Sequence, residues 1–334
     1  MNAGNTFEVE VRGIRREAET VRSFELWPLG AESAESAESG EAYELPPFEP
    51  GAHLDVHVPG DLVRQYSLTN PHERHRYVIG VNRDPASRGG SIRMHDAVTV
   101  GSRLTVSAPR NHFPLNEAAV HSVLVAGGIG ITPLLAMVRR LCELGRSWDL
   151  YYCARTESRA AFLRELRELA DTCPDGALHC VFDGVPGTAP LDIRAVLAKH
   201  GAQADFYCCG PTPLMDAFTA ALADVPPERV HLEYFKAPEI STPANSQAFT
   251  VTLARQQKSF VIEPDRSILH VLQEHGVAVM CSCREGVCGT CETAVLAGEP
   301  DHRDRVLSPE ERAANRTMMI CVSRCKGDAL TLDI

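Results

Sequence analysis

A chain of 334 residues is too long for one ordinary core and fits two or three domains. Apolar residues make up 44% and charged residues 23%, a globular composition, and 33 Lys and Arg against 44 Asp and Glu leave a formal charge of −11, which argues against nucleic acid or an anionic membrane as the partner. The opening MNAGNTFEVEVRG has no basic segment followed by an apolar one, and nowhere do about 18 apolar residues run together, so a cytoplasmic protein without a membrane anchor is expected.

The first 115 residues are short alternating segments (FEVEVRGIRREAETVRSFELWP, AHLDVHV, VRQYSLTN, RYVIGVNRD, SRLTVSAPRN) broken by Pro, Gly and Asp. That texture predicts a small antiparallel β-barrel. Between the first strands, GAESAESAESGE repeats Ala-Glu-Ser three times. So biased a tract cannot bury a core, and a solvated, disordered loop is expected there. RQYSL offers a cation at Arg64, an aromatic face at Tyr66 and a hydroxyl at Ser67 within one strand edge. SRGGS sets Arg88, Gly89, Gly90 and Ser91 ahead of a predicted helix, which suits a phosphate. Either stretch is also compatible with ordinary strand surface or an ordinary turn.

In the middle of the chain, SVLVAGGIGITPLLAMVRRLCELG reads as an apolar strand, a glycine turn with Gly127, Gly128, Gly130 and Pro133, and an amphipathic helix ending at Gly145. Bare glycines let a pyrophosphate approach the backbone, and the helix start presents free N–H groups and positive dipole. After it, WDLYYCAR, LHCVFDG, ADFYCCGPTPLMDAF and VHLEYF are strand-like and alternate with the helical patterns AAFLRELREL and PLDIRAVLAKHG. Alternation of this kind predicts a parallel sheet with its ligand at the carboxyl ends of the strands. A second strand-to-helix corner, at Cys209, Gly210 and Pro211, suits a dinucleotide.

Twelve cysteines form two populations. Cys142, Cys153, Cys173, Cys180, Cys208 and Cys209 are scattered in apolar or strand-like surroundings, as small hydrophobes would be. The other six crowd into residues 281 to 325, and a metal suits them better than disulfides in a reducing compartment. Cys283, Cys288 and Cys291 read C-x4-C-x2-C, and Cys321 follows after 29 intervening residues, the spacing of plant-type [2Fe–2S] ferredoxins. Gly286 and Gly289 suit a loop that wraps a cluster closely. A structural zinc site is the alternative, although zinc sites usually pair two short knuckles. Cys281 and Cys325 are left without a role. Around the loop, AFTVTLARQQKSFVIEP reads as two strands, SILHVLQEHG as a helix ending on Gly276 and ALTLDI as a closing strand, while KAPEISTPANSQ reads as a linker. His302 and Asp304 of EPDHRD read as a surface turn.

Taken in order, RQYSL, SRGGS, AGGIGITP, CCGP and the cysteine tail resemble the phthalate dioxygenase reductase family, in the branch that includes vanillate demethylase reductases. The resemblance implies a multidomain chain: a flavin-binding antiparallel β-barrel over 1–115, a ferredoxin-reductase-like α/β nucleotide domain over 116–236, a linker over 237–247 and a C-terminal β-grasp [2Fe–2S] ferredoxin domain over 248–334. It implies that Arg64, Gln65, Tyr66 and Ser67, with Val81, Asn82 and Arg83, hold FMN, and that Arg88, Gly89, Gly90 and Ser91 cradle its phosphate. Ser67 would lie near the reactive flavin nitrogen, and Phe235 would cover the flavin where nicotinamide enters. Gly127, Gly128, Gly130, Thr132, Pro133, Arg155, Cys209, Gly210 and Pro211 would bind NADH, with Arg155 and Arg159 leaving NADPH open. Electrons would pass from NADH to FMN to the cluster held by Cys283, Cys288, Cys291 and Cys321. From there they would reach a Rieske-type terminal oxygenase, docked transiently to a monomer. A reductase of a soluble ferredoxin or cytochrome, and a non-catalytic redox-sensing or zinc-stabilised protein, remain alternatives.

Overall fold

The computed structural model describes residues 6–30, 44–60, 62–201, 203–236 and 247–334. Apart from their end residues, the Ala-Glu-Ser tract and the predicted linker lie outside these. The chain divides into two compact units, Met1–Phe235 and Lys236–Ile334.

The first unit opens with six strands: β1 (Thr6–Arg16), β2 (Val21–Pro28), β3 (His53–Val58), β4 (Leu62–Ser67), β5 (Tyr77–Asn82) and β6 (Arg103–Ser107). They form one antiparallel sheet in the order β4-β3-β6-β1-β2-β5, and a bridge from Leu68 to Ile79 links its two edges, nearly closing a barrel. The period-two pattern has a physical cause in the inward pairs Val9 and Val11, Phe24 and Leu26, Leu54 and Val56, Ile79 and Val81, and Leu104 and Val106, all at most 3% exposed. Each side chain so buried contributes about 1.5–3 kcal/mol. Helix α1 (Gly90–Ala97) is pinned to this core by the fully buried Met94.

Next comes a five-stranded, all-parallel sheet of β7 (Ser122–Gly127), β8 (Trp148–Ala154), β9 (Gly176–Phe182), β10 (Asp205–Cys209) and β11 (Val230–Glu233), ordered β11-β10-β7-β8-β9. Its connecting helices are α2 (Ile131–Glu143), α3 (Leu163–Thr172), α4 (Ile193–His200) and α5 (Thr212–Ala221). The chain reverses its direction across the sheet between β7 and β10, the place where open α/β sheets hold ligands. Helix α3 starts later than AAFLRELREL suggests. Phe162 takes a left-handed φ of 59° and is 5% exposed, its ring filling the space beside Gly80. A Cβ at Gly80 would lie 2.7 Å from Thr132 and 3.2 Å from that ring, so this glycine lets the nucleotide segment press against the barrel.

Two of the scattered cysteines depart from the sequence reading, because Cys142 and Cys173 form a disulfide joining the end of α2 to the residue after α3. The amphipathic helices cross-pack on a common core and bring these thiols together. Cys208 and Cys209 are buried hydrophobes as expected, and burial raises both thiols.

The second unit contains β12 (Phe249–Leu253), β13 (Lys258–Ile262), β14 (Glu292–Ala297), β15 (Pro300–Asp301), β16 (Thr317–Met319), β17 (Arg324–Cys325) and β18 (Ala329–Leu332), with helices α6 (Ile268–Glu274) and α7 (Pro309–Ala314). Its main sheet runs β13-β12-β18-β14-β16, with β12 and β18 parallel. Ser267 caps α6 by accepting from His270 N at 3.2 Å, and Gly276, at φ 71°, lets the chain turn away after it. The helix lays Ile268, Leu269, Val271 and Leu272 on the core. Among the described residues no helix is long and apolar enough to cross a membrane.

Candidate functional site

In the second unit the structure gathers the four predicted ligands. Cys283, Cys288, Cys291 and Cys321 are each at most 9% exposed. Their sulfurs neighbour one another, Cys283 with Cys288 and Cys321, and Cys291 with Cys321. Those sulfur contacts are the first cause that draws Cys283 well below the usual thiol range. The loop backbone turns through left-handed φ at Arg284, Gly286 and Gly289, and Glu285 N donates to Cys283 Sγ at 3.3 Å. A Cβ at Gly286 would meet Val322 at 2.5 Å, so glycine is required for the loop to lie against the segment carrying Cys321. Four buried soft donors in mutual contact, with an amide aimed at sulfur, fit an iron–sulfur cluster. Cys281 and Cys325 are engaged elsewhere, with Gln273 and with the Ala329 carbonyl.

EPDHRD is not a surface turn. Asp304 is 2% exposed and its carboxylate accepts from Val306 N at 3.0 Å and Leu307 N at 2.9 Å, while Arg305 N donates to Gly286 O at 2.8 Å. This aspartate holds the turn whose Arg305 amide braces the cysteine loop. Its signal in the sequence was weak, since acidic turn residues are commonplace.

In the first unit, RQYSL runs along β4 to the barrel mouth. Arg64 donates to the Val63 and Arg88 carbonyls at 2.8 and 3.1 Å and lies across Gly90, where a Cβ would come within 2.6 Å of its side chain. Gly89 caps α1 at φ 90°. Two guanidinium-bearing residues thus meet at a helix N-terminus made of bare glycine backbone, a cradle suited to a phosphate. Gln65 bonds Asp55. Burial raises the Tyr66 hydroxyl. Ser67 is 4% exposed. Val81 is wholly buried with its carbonyl against His95 Nε2 at 2.9 Å, Asn82 accepts from Thr20 at 2.7 Å, and Arg83 pairs with Asp96 at 3.1 Å.

At the carboxyl edge of the parallel sheet, the two predicted turns lie side by side. A Cβ at Gly130 would sit 2.1 Å from the Cys209 carbonyl, and one at Gly127 would sit 2.5 Å from Pro211. Gly128 is different: at φ +54° nothing lies within 4 Å of its absent side chain, which leaves bare backbone facing open space. Thr132 is 1% exposed and spends its hydroxyl on the Ile129 carbonyl at 2.9 Å, so it shapes the turn from within. Arg155 is exposed, Arg159 is held by Glu19 at 3.4 Å and Glu157 by Arg167. The sequence reading missed Glu233. Its side chain, 12% exposed, stands at the end of β11 with Oε2 3.5 Å from Ser67 Oγ and Oε1 4.0 Å from His53 Nδ1. Burial pushes its carboxyl up to about 8. Phe235, two residues on, is 41% exposed.

Residues 251–326 match the family model of the 2Fe-2S iron-sulfur cluster binding domain, and residues 124–220 that of the oxidoreductase NAD-binding domain. A solved structure described as phthalate dioxygenase reductase, a modular structure for electron transfer from pyridine nucleotides to [2Fe–2S], aligns with a TM-score of 0.68 at 40% identity over 98% of each chain. The chain belongs to the phthalate dioxygenase reductase family. Within that family it is 52% identical, over 87% of its length and 89% of the relative's, to phenoxybenzoate dioxygenase subunit beta of Ectopseudomonas oleovorans. It is 45% identical, over 100% and 99%, to tetrachlorobenzoquinone reductase of Sphingobium chlorophenolicum. The three-part architecture of barrel, nucleotide sheet and ferredoxin fold is therefore that of the phthalate dioxygenase reductase family, and its cysteine loop lies within the matched 2Fe-2S cluster binding domain.

Proposed function

We propose that this protein is the reductase component of an oxygenase system, taking electrons from NADH through FMN to its [2Fe–2S] cluster and handing them to a Rieske-type terminal oxygenase. One observation carries the reading. Ser67, at the end of the predicted flavin strand, and Glu233, at the end of the last nucleotide-sheet strand, meet across 166 residues of chain. The two cofactor segments therefore share one mouth, with Phe235 beside it. The chemistry a bound flavin supplies is a change of electron count, two in and one at a time out.

In this reading the domains span 1–115, 116–236 and 248–334, joined by 237–247. Arg64 and Arg88, with the Gly89–Ser91 backbone, hold the flavin phosphate. Tyr66, Gln65 and the Val81–Arg83 segment would line its ring, and Ser67 would lie near its reactive nitrogen. Gly127, Gly128 and Gly130 with Cys209, Gly210 and Pro211 admit the dinucleotide to bare backbone. Thr132 and Pro133 support that turn, and Arg155 lies toward the adenosine end. Phe235 would cover the flavin where nicotinamide enters. No general base is needed, since these residues act by alignment. NADH is favoured over NADPH because Arg159 is already engaged by Glu19. The dioxygenase name of the 52% identical relative supports an oxygenase as recipient.

The test is an anaerobic visible spectrum of the purified protein, before and after one equivalent of NADH, with NADPH as control. Flavin and iron–sulfur bands that both bleach with NADH are expected. A colourless protein holding zinc without iron would overturn the reading. A second reading has its own support, because the relative matched along the whole chain is named a tetrachlorobenzoquinone reductase. Turnover with a halogenated benzoquinone that outpaces turnover with an oxygenase partner would favour it.

A further inference from the structure

The amino-terminal edge of the parallel sheet, opposite the nucleotide turns, gathers side chains that electron transfer does not use. Val123 pairs with Asp149, and Tyr151 pairs with His179. Paired residues, and residues two apart on a strand, share a face, so His121, Asp149, Tyr151 and His179 all project from one side of the sheet. Helix α4 covers that side through Ile193 and Val196 and ends on His200. The fold thus brings three imidazoles and a carboxylate together from four separate segments of the chain.

Their donor atoms lie close enough to share one cation. One ligand atom from each of His121, Asp149 and His200 lies within 4.8 Å of the others. His121 Nε2 is 3.3 Å from Asp149 Oδ2. That matches the donor separation of about 3.3 Å in a tetrahedral site with zinc–ligand bonds near 2.0 Å. Ser147 Oγ holds His121 Nδ1 at 2.8 Å, which fixes the ring and leaves Nε2 buried and without a hydrogen-bond partner among the described residues. His179 Nε2 contacts the other carboxylate oxygen at 2.5 Å, the outer-shell bond that orients a metal-binding carboxylate.

We infer that His121, Asp149 and His200, with His179 orienting Asp149, form a binding site for a borderline divalent cation of the zinc type, whose role is to clamp β7, β8 and α4 together. Two imidazoles and one carboxylate without thiolate suit zinc, nickel or copper(II) over calcium or magnesium. The half-exposed Lys199 ammonium, 3.0 Å from Asp149 Oδ1, sits on the oxygen that His179 holds and not on the one facing His121. Binding exchanges the Tyr151 hydroxyl, 2.8 Å from His200 Nε2, for the cation.

The experiment uses the full, untagged chain with its flavin and cluster in place. It is incubated with excess zinc chloride, desalted and assayed for zinc and iron, with the visible spectrum recorded and thermal unfolding followed with and without zinc. The wild type is expected to retain about one more zinc per chain than a His121→Gln, His200→Gln double variant, with iron and visible bands unchanged, and to gain melting temperature where the variant does not. Should the double variant fail to fold, Asp149→Asn supplies the comparison, its visible bands reporting that it is folded. No zinc on the wild type, equal zinc on wild type and variant, or zinc gained only as iron is lost from the cysteine loop, would each overturn the site.

Discussion

Glu233 shows what tertiary burial does to one carboxyl group. Its ordinary value is 4.5, and burial raises it to about 8 against the weaker opposing pull of the Ser67 hydroxyl. The folded chain therefore keeps a proton that the unfolded chain releases near the ordinary value. The stability this group contributes is complete below that value and is lost as pH rises through about 8. Glu233→Gln, neutral at every pH, should flatten the decline of melting temperature between about pH 5 and pH 9. An unchanged slope would mean that the carboxyl is not protonated in the fold. At the cysteine loop, Cys288→Ser keeps size and removes the soft thiolate. Iron content and the iron–sulfur bands should fall away while the flavin bands persist, read by iron assay and visible spectrum.

Among the elements, the two glycine turns separate packing from ligand approach. Gly130→Ala forces a methyl to within 2.1 Å of a backbone carbonyl that cannot rotate away. It should cost on the order of 2 kcal/mol of stability, measured by denaturant unfolding. Gly128→Ala meets no atom within 4 Å and pays only for its left-handed φ, about 1 kcal/mol. Its larger effect should be a raised KM for NADH, because the methyl would occupy the open space that the proposed reading gives to the pyrophosphate. On the far side of α2, the Cys142–Cys173 disulfide closes a loop with a sequence separation of 31. Loop-closure entropy puts its contribution at about 3.7 kcal/mol. A lower melting temperature is expected for the Cys142→Ala, Cys173→Ala double variant in the absence of any reductant, and no change would show that the bond adds nothing in solution.

At the scale of the whole molecule, Lys236–Ile334 has a core of its own, built from Phe249 through Leu332. A chain ending at Phe235 should keep NADH-dependent bleaching of the flavin and lose the iron–sulfur bands. Loss of flavin binding as well would show that the units depend on one another. The cysteine spacing, the alternating barrel strands and the strand–turn–helix order of the nucleotide segment were readable in the sequence, because they rest on local periodicity and on short-range ligand geometry. The left-handed Phe162 that delays α3 was not, since a ring buried beside Gly80 overrides helical pattern. The same limit hid the Cys142–Cys173 pairing, the buried bracing by Asp304 and the contact of Glu233 with Ser67. Sequence alone determined the order of folds along the chain and singled out the four cysteines that the structure gathers, which depend on neighbours along the chain. Only the tertiary structure decided which distant side chains meet and which carboxyl loses its water, because burial and long-range contact arise when separate elements pack.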